Sequence, residues 1–376
     1  MPVIGRIGAM RRPSAEHGLP AAVVDVGWVN GLAAIRSLGR AGIPVFAVDH
    51  RSSPLGFRSR YAQPVTVPDP LAEEERFVDA VARIGGPAVV FPTHDPPLNA
   101  LARHADRLDG FLFPFPDWER LEAIQDKQHQ LETARSAGAA IPETLYPTSA
   151  TEAAGLPLPV LVKPRHPDGF KRTFGKQAFR CETTVELERA YADAEPYGPI
   201  VQELVPGGDE ELYSLGSYLR ADGEPLGLFC GRKLKQVPPL VGTCRVGEAV
   251  WVQEVVDAAL RLLRAFDYRG ISQVEFIRDA RNGRFKLMEI NARLWQWHGL
   301  AAACGVDIPR IAYADLVGQA PAPARMTGNG KRWAITLLPG EAPAPQRPPY
   351  VDAVFAADDP KPALVHLARL ARSLVR

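Results

Sequence analysis

Cysteine is scarce in this chain, and the four present (Cys181, Cys230, Cys244 and Cys304) are scattered without a CxxC pair. That argues against a disulfide framework and against a thiolate zinc site. No uninterrupted apolar run approaches the ~18 residues of a membrane-crossing helix. Residues 1–20 carry charges and proline but no apolar stretch like that of a signal peptide, and a disordered extension is expected there. A dominant charge sign is missing too. The 44 basic and 43 acidic side chains leave a net charge of +1, so no global field draws in nucleic acid or anionic lipid. The expectation is a cytoplasmic protein with neither a nucleic-acid nor a membrane partner.

What is present fits an ordinary set of packed cores: 46% hydrophobic and 23% charged residues over 376 positions, enough for two or three domains at roughly 150 residues each. Residues 21–26 form a short apolar run suited to a buried parallel strand. Gly27 to Gly31 turns it into a helix over 32–40, Gly42 ends that helix, and a second strand covers 43–48. This is a βαβ unit. A further strand at 88–91 runs into Pro92-Thr93-His94-Asp95, with a helix near 98–108. Residues 21–115 therefore read as a small doubly wound α/β domain. An amphipathic helical segment spans 117–138. Strands follow at 159–163, 200–205 and 211–220, the last pairing with 226–234 across an Ala221-Asp222-Gly223 turn. A helix over 250–266 leads to strands 271–278 and 284–291. Residues 318–350 are rich in Pro, Ala and Gly around a strand-like piece at 332–338, and a basic helix over 362–376 closes the chain.

The most informative stretch runs from Val274 to Arg293. Arg281-Asn282-Gly283 reads as a three-residue hairpin loop with Gly where positive φ is needed. Asn282 is midway between Glu275 and Glu289. The two carboxylates should therefore lie directly opposite, with Cβ atoms ~4.5–5.5 Å apart, where like charges destabilise a sheet. Alternation adds Asn291 and Arg293 to that face and turns Met288 and Ile290 into the core. A divalent cation resolves the repulsion. Two carboxylates and an amide oxygen suit Mg2+, with Mn2+ a possible substitute, and Mg2+ shares its shell with phosphates.

Such a site needs cations. Asp126-Lys127 precedes Gly138 and Ile141-Pro142; Val162-Lys163-Pro164 ends a strand; Gln202-Glu203-Leu204-Val205-Pro206-Gly207 follows. Together with Glu275 and Met288-Glu289-Ile290-Asn291-Ala292-Arg293, in this order, the chain resembles the ATP-grasp superfamily, carboxylate–amine ligase-like, over roughly residues 21–318. The resemblance implies a Rossmann-like N-terminal domain (21–115), then an ATP-grasp fold of two α+β subdomains (116–205 and 206–318), with 319–376 as a Pro-rich segment, strand and C-terminal helix. It further implies that Lys127 and Lys163 hold the ATP phosphates. Gln202 belongs to the same motif, and the backbone of Glu203, Leu204 and Val205 would meet the adenine edge. Glu210 or Glu211 would hold the ribose; spacing does not separate them, and Glu211 is preferred. Glu275, Glu289 and Asn291 would ligate Mg2+, and Arg293 would stabilise the transferring phosphoryl group. The loop 165–176 is more basic and less glycine-rich than is usual in the family. Lys171 or Arg172 covers phosphates there, or the loop is an ordinary exposed one. Ala292 stands where many relatives have proline.

Downstream of 226–234, Arg232, Lys233 and Lys235 are candidates to neutralise an acyl phosphate or bind a substrate carboxylate, and Gly242-Thr243 would admit an anion to backbone amides. His94 and His298 read chiefly as structural hydrogen-bonders or pocket lining. Cys244 has no basic partner to make it a nucleophile. The expected reaction is ATP-dependent joining of a small-molecule carboxylate to an amine, for which an amino acid is one candidate, through an acyl phosphate; the resemblance favours a dipeptide or amino-acid conjugate as product and is compatible with a homodimer. Rival readings are a small-molecule kinase and a non-catalytic nucleotide-binding subunit. A nicotinamide enzyme lacks its GxGxxG, and no GxxxxGK[ST] loop is present.

Overall fold

The computed structural model describes residues 18–166, 169–239, 242–336 and 350–374. The expected extension therefore lies outside the described residues as far as residue 17, as do 337–338 of the strand-like piece.

The first domain is a parallel sheet of Ala21–Val24, Val45–Asp49, Ala62–Thr66, Ala88–Pro92 and Phe111–Leu112, ordered third, second, first, fourth, fifth. Its central strands are near-continuous apolar runs because both faces are covered. Ala21, Val23, Ala47 and Phe91 pack toward helix Val29–Arg40, while Ala22, Val24, Val48 and Val90 pack with Phe77, Val78 and Val81 of helix Glu74–Ala82. Strand Ala62–Thr66 and helix Glu74–Ala82 were not foreseen. The strand sits on the sheet edge, contains Pro64 and buries none of its residues, so it carries no apolar signature. Strand order reverses between the first and fourth strands, and the segments leaving their C-terminal ends begin at Asp25 and Thr93. That switch point is where open α/β sheets bind ligands.

The helical segment expected over 117–138 is two helices, Trp118–Gln125 and Lys127–Ser136. Asp126 interrupts it. Its backbone is extended, and its carboxylate accepts from the N–H groups of Gln128 and His129, so it caps the second helix instead of continuing the first. A four-stranded antiparallel sheet follows, in the order Thr144–Leu145, Ile200–Glu203, Val160–Lys163, Phe179–Cys181. Val160, Val162 and Val201 pack on Leu187 and Tyr191 of helix Thr184–Ala194, which opens with a Thr183/Glu186 capping box.

The largest sheet has eight strands. Its path runs Phe285–Asn291, Gly270–Arg278, Leu212–Leu219, Pro225–Val237, Thr243–Ala249, Arg332–Ala334 and Tyr350–Asp352, with Ala324–Arg325 beside Pro225–Val237. Strand Thr243–Ala249 was missed because a glycine and two charged residues interrupt its pattern. Helix Gln253–Ala265 sends Val255, Val256, Ala259, Leu262 and Leu263 into the main core. After Arg293 the chain lays two indoles on the sheet. A Cβ on Gly216 would lie 2.2 Å from the Trp295 ring, and one on Gly231 would lie 2.8 Å from Trp297, so only glycine leaves room.

The C-terminal segment returns to the first domain. Asp359, fully buried, accepts from Arg36 Nε (3.0 Å), Ser59 Oγ (2.8 Å) and the Arg60 N–H (2.9 Å). Its neighbour Asp358 takes two bonds from Arg40 and one from Tyr61. Asp359→Ala takes the carboxylate from the buried Arg36 guanidinium, leaving it the carbonyl of residue 359 (2.8 Å), and is expected to cost ~3–5 kcal/mol, read as a shift of the denaturant midpoint at unchanged slope.

Candidate functional site

Glu275 and Glu289 are register partners on antiparallel strands, with Gln273 opposite Asn291 one step further along the same face. The route to that register differs from expectation. The loop holds four residues, 280–283: the Asp279 N–H bonds to the Arg284 carbonyl (2.9 Å), and Gly283 lies at φ +74°. A bulge then restores the pairing, because Phe276 faces Leu287 while Glu275 faces Glu289, leaving Met288 as the extra residue. The two one-residue differences cancel at the glutamates. They do not cancel for the core: Leu287 and Ile290 enter it, while Met288 packs instead with Val205, Leu212 and Ile277.

Cations surround the pair. Lys233 Nζ donates to Glu275 Oε2 at 2.9 Å and to Gln236 Oε1 at 3.3 Å. Burial works against the Lys233 ammonium, yet Glu275 and, more weakly, Glu289 hold its pKa above the ordinary value. Arg293 donates to Asn291 Oδ1 at 3.0 Å and grips both oxygens of Asp95 at 2.6 and 3.1 Å, tying the large sheet to the first domain. Burial opposes its charge too, but Asp95, Glu289 and Glu275 outweigh that cost. Among the described residues nothing donates to Glu289. No three His, Cys, Asp or Glu side chains converge there, so a cation would find two carboxylates and the Asn291 amide oxygen. These are hard oxygen donors, one of them without a protein partner, which fits an ion such as Mg2+ that keeps several waters.

Lys163 reaches the same site from the four-stranded sheet, where its Nζ donates to Gln202 Oε1 at 2.7 Å. Burial, then the charge of Lys127, lowers its pKa to about 8, and Glu289 partly offsets them. Both lysines and Glu289 thus share one electrostatic neighbourhood. Lys127 opens its helix beside Asp126, which Arg165 clamps at 2.6–2.9 Å. The basic loop contains a short helix, Phe170–Phe174, and Lys171 on it acts electrostatically on His94. Arg172 is exposed; 167–168 lie outside the described residues.

Between the sheets, the Glu203 carboxylate is held by Lys286, by Arg281 (2.7 Å) and by the Glu143 N–H (2.9 Å). The Leu204 N–H meets the Pro159 carbonyl at 3.3 Å. A cavity of ≈ 360 Å³ opens here, lined by Glu203 to Gly207, Pro157 to Pro159, Glu143 and Arg281. Glu211, the expected ribose ligand, is half-buried and takes two bonds from Arg278 (2.6 and 2.9 Å), which depress its pKa. Arg278 is three residues from Glu275 and faces the other side of the sheet, so Glu211 is turned away from the carboxylate pair; Glu210 is exposed.

The structure does not bring Arg232 to the site. Neighbours on a strand face opposite ways, and with Lys233 against Glu275, Arg232 turns to Glu248 at 2.8–3.0 Å. His298 is buried, its Nε2 2.9 Å from the Asn30 carbonyl between the first domain and the segment after Trp297. All four cysteines are buried and free, and burial pushes the Cys244 thiol well up, away from nucleophilic use. Asp95 was not anticipated as the partner of Arg293. The two are 198 positions apart, and no local pattern links them.

A parallel sheet with its switch point, a small antiparallel sheet carrying one lysine, and a large sheet carrying two facing carboxylates enclose one cleft. Solved structures share this arrangement. The biotin carboxylase domain of Hydrogenobacter thermophilus 2-oxoglutarate carboxylase, solved with MgADP and bicarbonate, superposes at a TM-score of 0.65 with 18% identity, covering 83% of this chain and 73% of that one.

The chain has the ATP-grasp fold.

An L-amino acid ligase from Bacillus licheniformis shares that fold at a TM-score of 0.61 and 16% identity, over 81% of this chain and 75% of its own. Residues 248–316, which include both glutamates, Asn291 and Arg293, match the family described as carbamoyl-phosphate synthase L chain, ATP binding domain. In sequence, the D-aspartate ligase of Enterococcus faecium is 24% identical over 238 residues, 59% of this chain and 56% of that protein, so little more than half of that relative is spanned. Among the described residues of the ATP-grasp chain, no helix is long and apolar enough to cross a membrane.

The lysine sets a pH dependence. Burial and the charge of Lys127 put the Lys163 pKa at about 8; a phosphate bound there would favour the ammonium and raise it. Nucleotide binding should therefore be flat well below pH 8 and take up a proton above it, weakening toward tenfold per pH unit. Calorimetry in buffers of different ionisation enthalpy reads that uptake, and Lys163→Arg, charged throughout, should abolish it.

Proposed function

We propose that this ATP-grasp protein is an ATP- and Mg2+-dependent carboxylate–amine ligase that forms an amide through an acyl phosphate, releasing ADP and phosphate. The observation that carries the reading is the cleft itself. Glu275 and Glu289 face one another within the fields of Lys163, Lys233 and Arg293. Phosphoryl transfer needs little more than alignment and charge neutralisation. Glu275, Glu289 and Asn291 would hold the metal, whose charge would offset that of the phosphates.

Lys127 and Lys163 bind the phosphates from the small-sheet side. The backbone of 203–205 takes the adenine edge, and Val205 and Met288 supply apolar surface beneath it. Arg293, fixed by Asp95, faces the γ-phosphoryl group as a substrate carboxylate attacks it. Lys233 lies beside Glu275 and steadies the resulting acyl phosphate, and the amine then displaces phosphate. Water must be kept out, since hydrolysis would waste the activation. The names of the two ligases among the relatives favour an amino acid as one of the two substrates.

The test is an ADP- and phosphate-release screen of amino acids crossed with small carboxylates, with products identified by mass spectrometry. ADP formation requiring both partners, with an amide product, is expected; a stable phosphorylated product from one partner would instead assign phosphotransfer. Glu289→Ala should lower Mg2+-dependent ADP release by at least ~100-fold at unchanged circular dichroism, and wild-type turnover in that variant would reject the metal site.

A further inference from the structure

The switch point of the parallel sheet carries polar chemistry that the nucleotide site does not use. Asp25 ends the first strand with φ +66°, a left-handed conformation rare for a residue with a side chain. Strain of this kind persists where the surroundings over-determine it, typically at functional sites. Here the Asp25 N–H bonds to the Val48 carbonyl (2.8 Å), and the Asp25 carbonyl accepts from Thr93 Oγ1 (2.6 Å). The conformation brings the Asp25 carboxylate to 3.1 Å from His94 Nδ1. Arg51, resting where a Cβ on Gly27 would stand, bonds to Asp25 and Asp49 together.

The hydrogen bonds settle the histidine tautomer. A threonine hydroxyl has one proton, and that of Thr93 is spent on the Asp25 carbonyl. Thr93 Oγ1, 3.0 Å from His94 Nδ1, can then only accept. Nδ1 therefore carries the hydrogen, shared between Thr93 Oγ1 and an Asp25 carboxylate oxygen. Nε2 is left as a bare acceptor, to which nothing donates among the described residues. The side chain is 35% exposed. A base held in one tautomer by a carboxylate behind it is the arrangement used for proton abstraction.

We propose that His94, oriented by Asp25, is the general base that accepts a proton from the substrate's ammonium group so that the amine can attack the acyl phosphate. The inference rests on the ligase reading. One ammonium proton passes to Nε2, and the freed nitrogen lone pair forms the N–C bond. The C–O bond to phosphate breaks with its electron pair, and the second proton leaves with the phosphate. Asp25 and Asp49 share Arg51 between them. Asp95 on helix Asp95–Arg103, Arg293 after the metal strand and Lys171 on the basic loop are the other charges acting on His94. Burial, then Arg293, Arg51 and Lys171, lower the imidazole pKa to about 3; nucleotide and acyl-phosphate oxygens would offset those cations and raise its basicity.

Hydroxylamine separates a base from a scaffold, because it is already uncharged near neutral pH and needs no deprotonation. The wild-type chain, with the carboxylate that scores in the ADP screen, is given either the matching amine or hydroxylamine. His94→Gln is expected to lower the ratio of amide to hydroxamate by ~100-fold or more. Its remaining amide formation should climb with pH as the amine deprotonates in solution. Asp25→Asn should lower the ratio less. Equal loss of both products in His94→Gln, or an unchanged ratio, would overturn the assignment. A wild type that forms hydroxamate with ADP release keeps the ligase reading whatever the variant does, whereas one that forms neither product overturns both. Independently, 15N shifts of His94 should report a protonated Nδ1 and a bare Nε2; the opposite tautomer would overturn the proposal without any substrate.

Discussion

Two carboxylates facing one another across a hairpin are a liability that the surrounding structure is built to offset. At ~5 Å and an effective dielectric near 20, their repulsion is about 3 kcal/mol, a sizeable part of the stability of a domain. The protein neutralises one side only. Lys233 bonds to Glu275 from an adjoining region of the sheet, while Glu289 is left to the fields of Lys163 and Arg293. Half of the pair is thus stable without a ligand, and the other half remains a vacancy for positive charge. The burial of Lys233, Arg293 and Lys163 would be costly for isolated cations. It is tolerable because each lies within reach of a carboxylate. The anionic pair and the cationic ring depend on one another, and three separate sheets must meet for either to exist.

Legibility in the sequence followed from the range of each interaction. The hairpin could be read because one turn fixes it, and its register at Glu275 and Glu289 came out right although the loop is a residue longer and Met288 bulges. Alternation failed at Met288 for the same reason: a bulge flips every residue beyond it, and nothing in the local pattern announces it. The break at Asp126 is a local event whose signal, a capping residue before a polar turn, is visible once the helix is required to end. Arg232 and Lys233 were assigned jointly from their charge, but adjacent strand residues cannot both face one cleft.

Other features were invisible in principle. The Asp95–Arg293 pair and the Asp359 clasp join residues some two to three hundred positions apart, and their meeting depends on domain docking, not on any segment's own preference. The same holds for Asp25. As a sequence symbol it is only the residue after a strand. Its left-handed backbone and its place beside His94 arise because the first and fourth strands are neighbours.

The docking of the first domain onto the large sheet also decides which part of the molecule is free to move. Arg293 and Asp95 join them at the metal strand. Immediately downstream, Trp295 and Trp297 lie on the glycine-paved sheet, and His298 meets the Asn30 carbonyl at 2.9 Å. Asn30 in turn donates to the Thr93 carbonyl at 2.9 Å, one residue from His94. Two bridges, one ionic and one through buried polar groups, therefore hold the metal strand and the switch point in fixed relation. Among the described residues the small antiparallel sheet has no comparable bond to the switch point. Its ties run through Arg165 to Asp126 and through Glu203 to Arg281 and Lys286 of the large sheet's hairpin. Under the proposed ligase reading, closure over a nucleotide would fall to that sheet, carrying Lys163 toward a half-site of Glu289, Arg293 and His94.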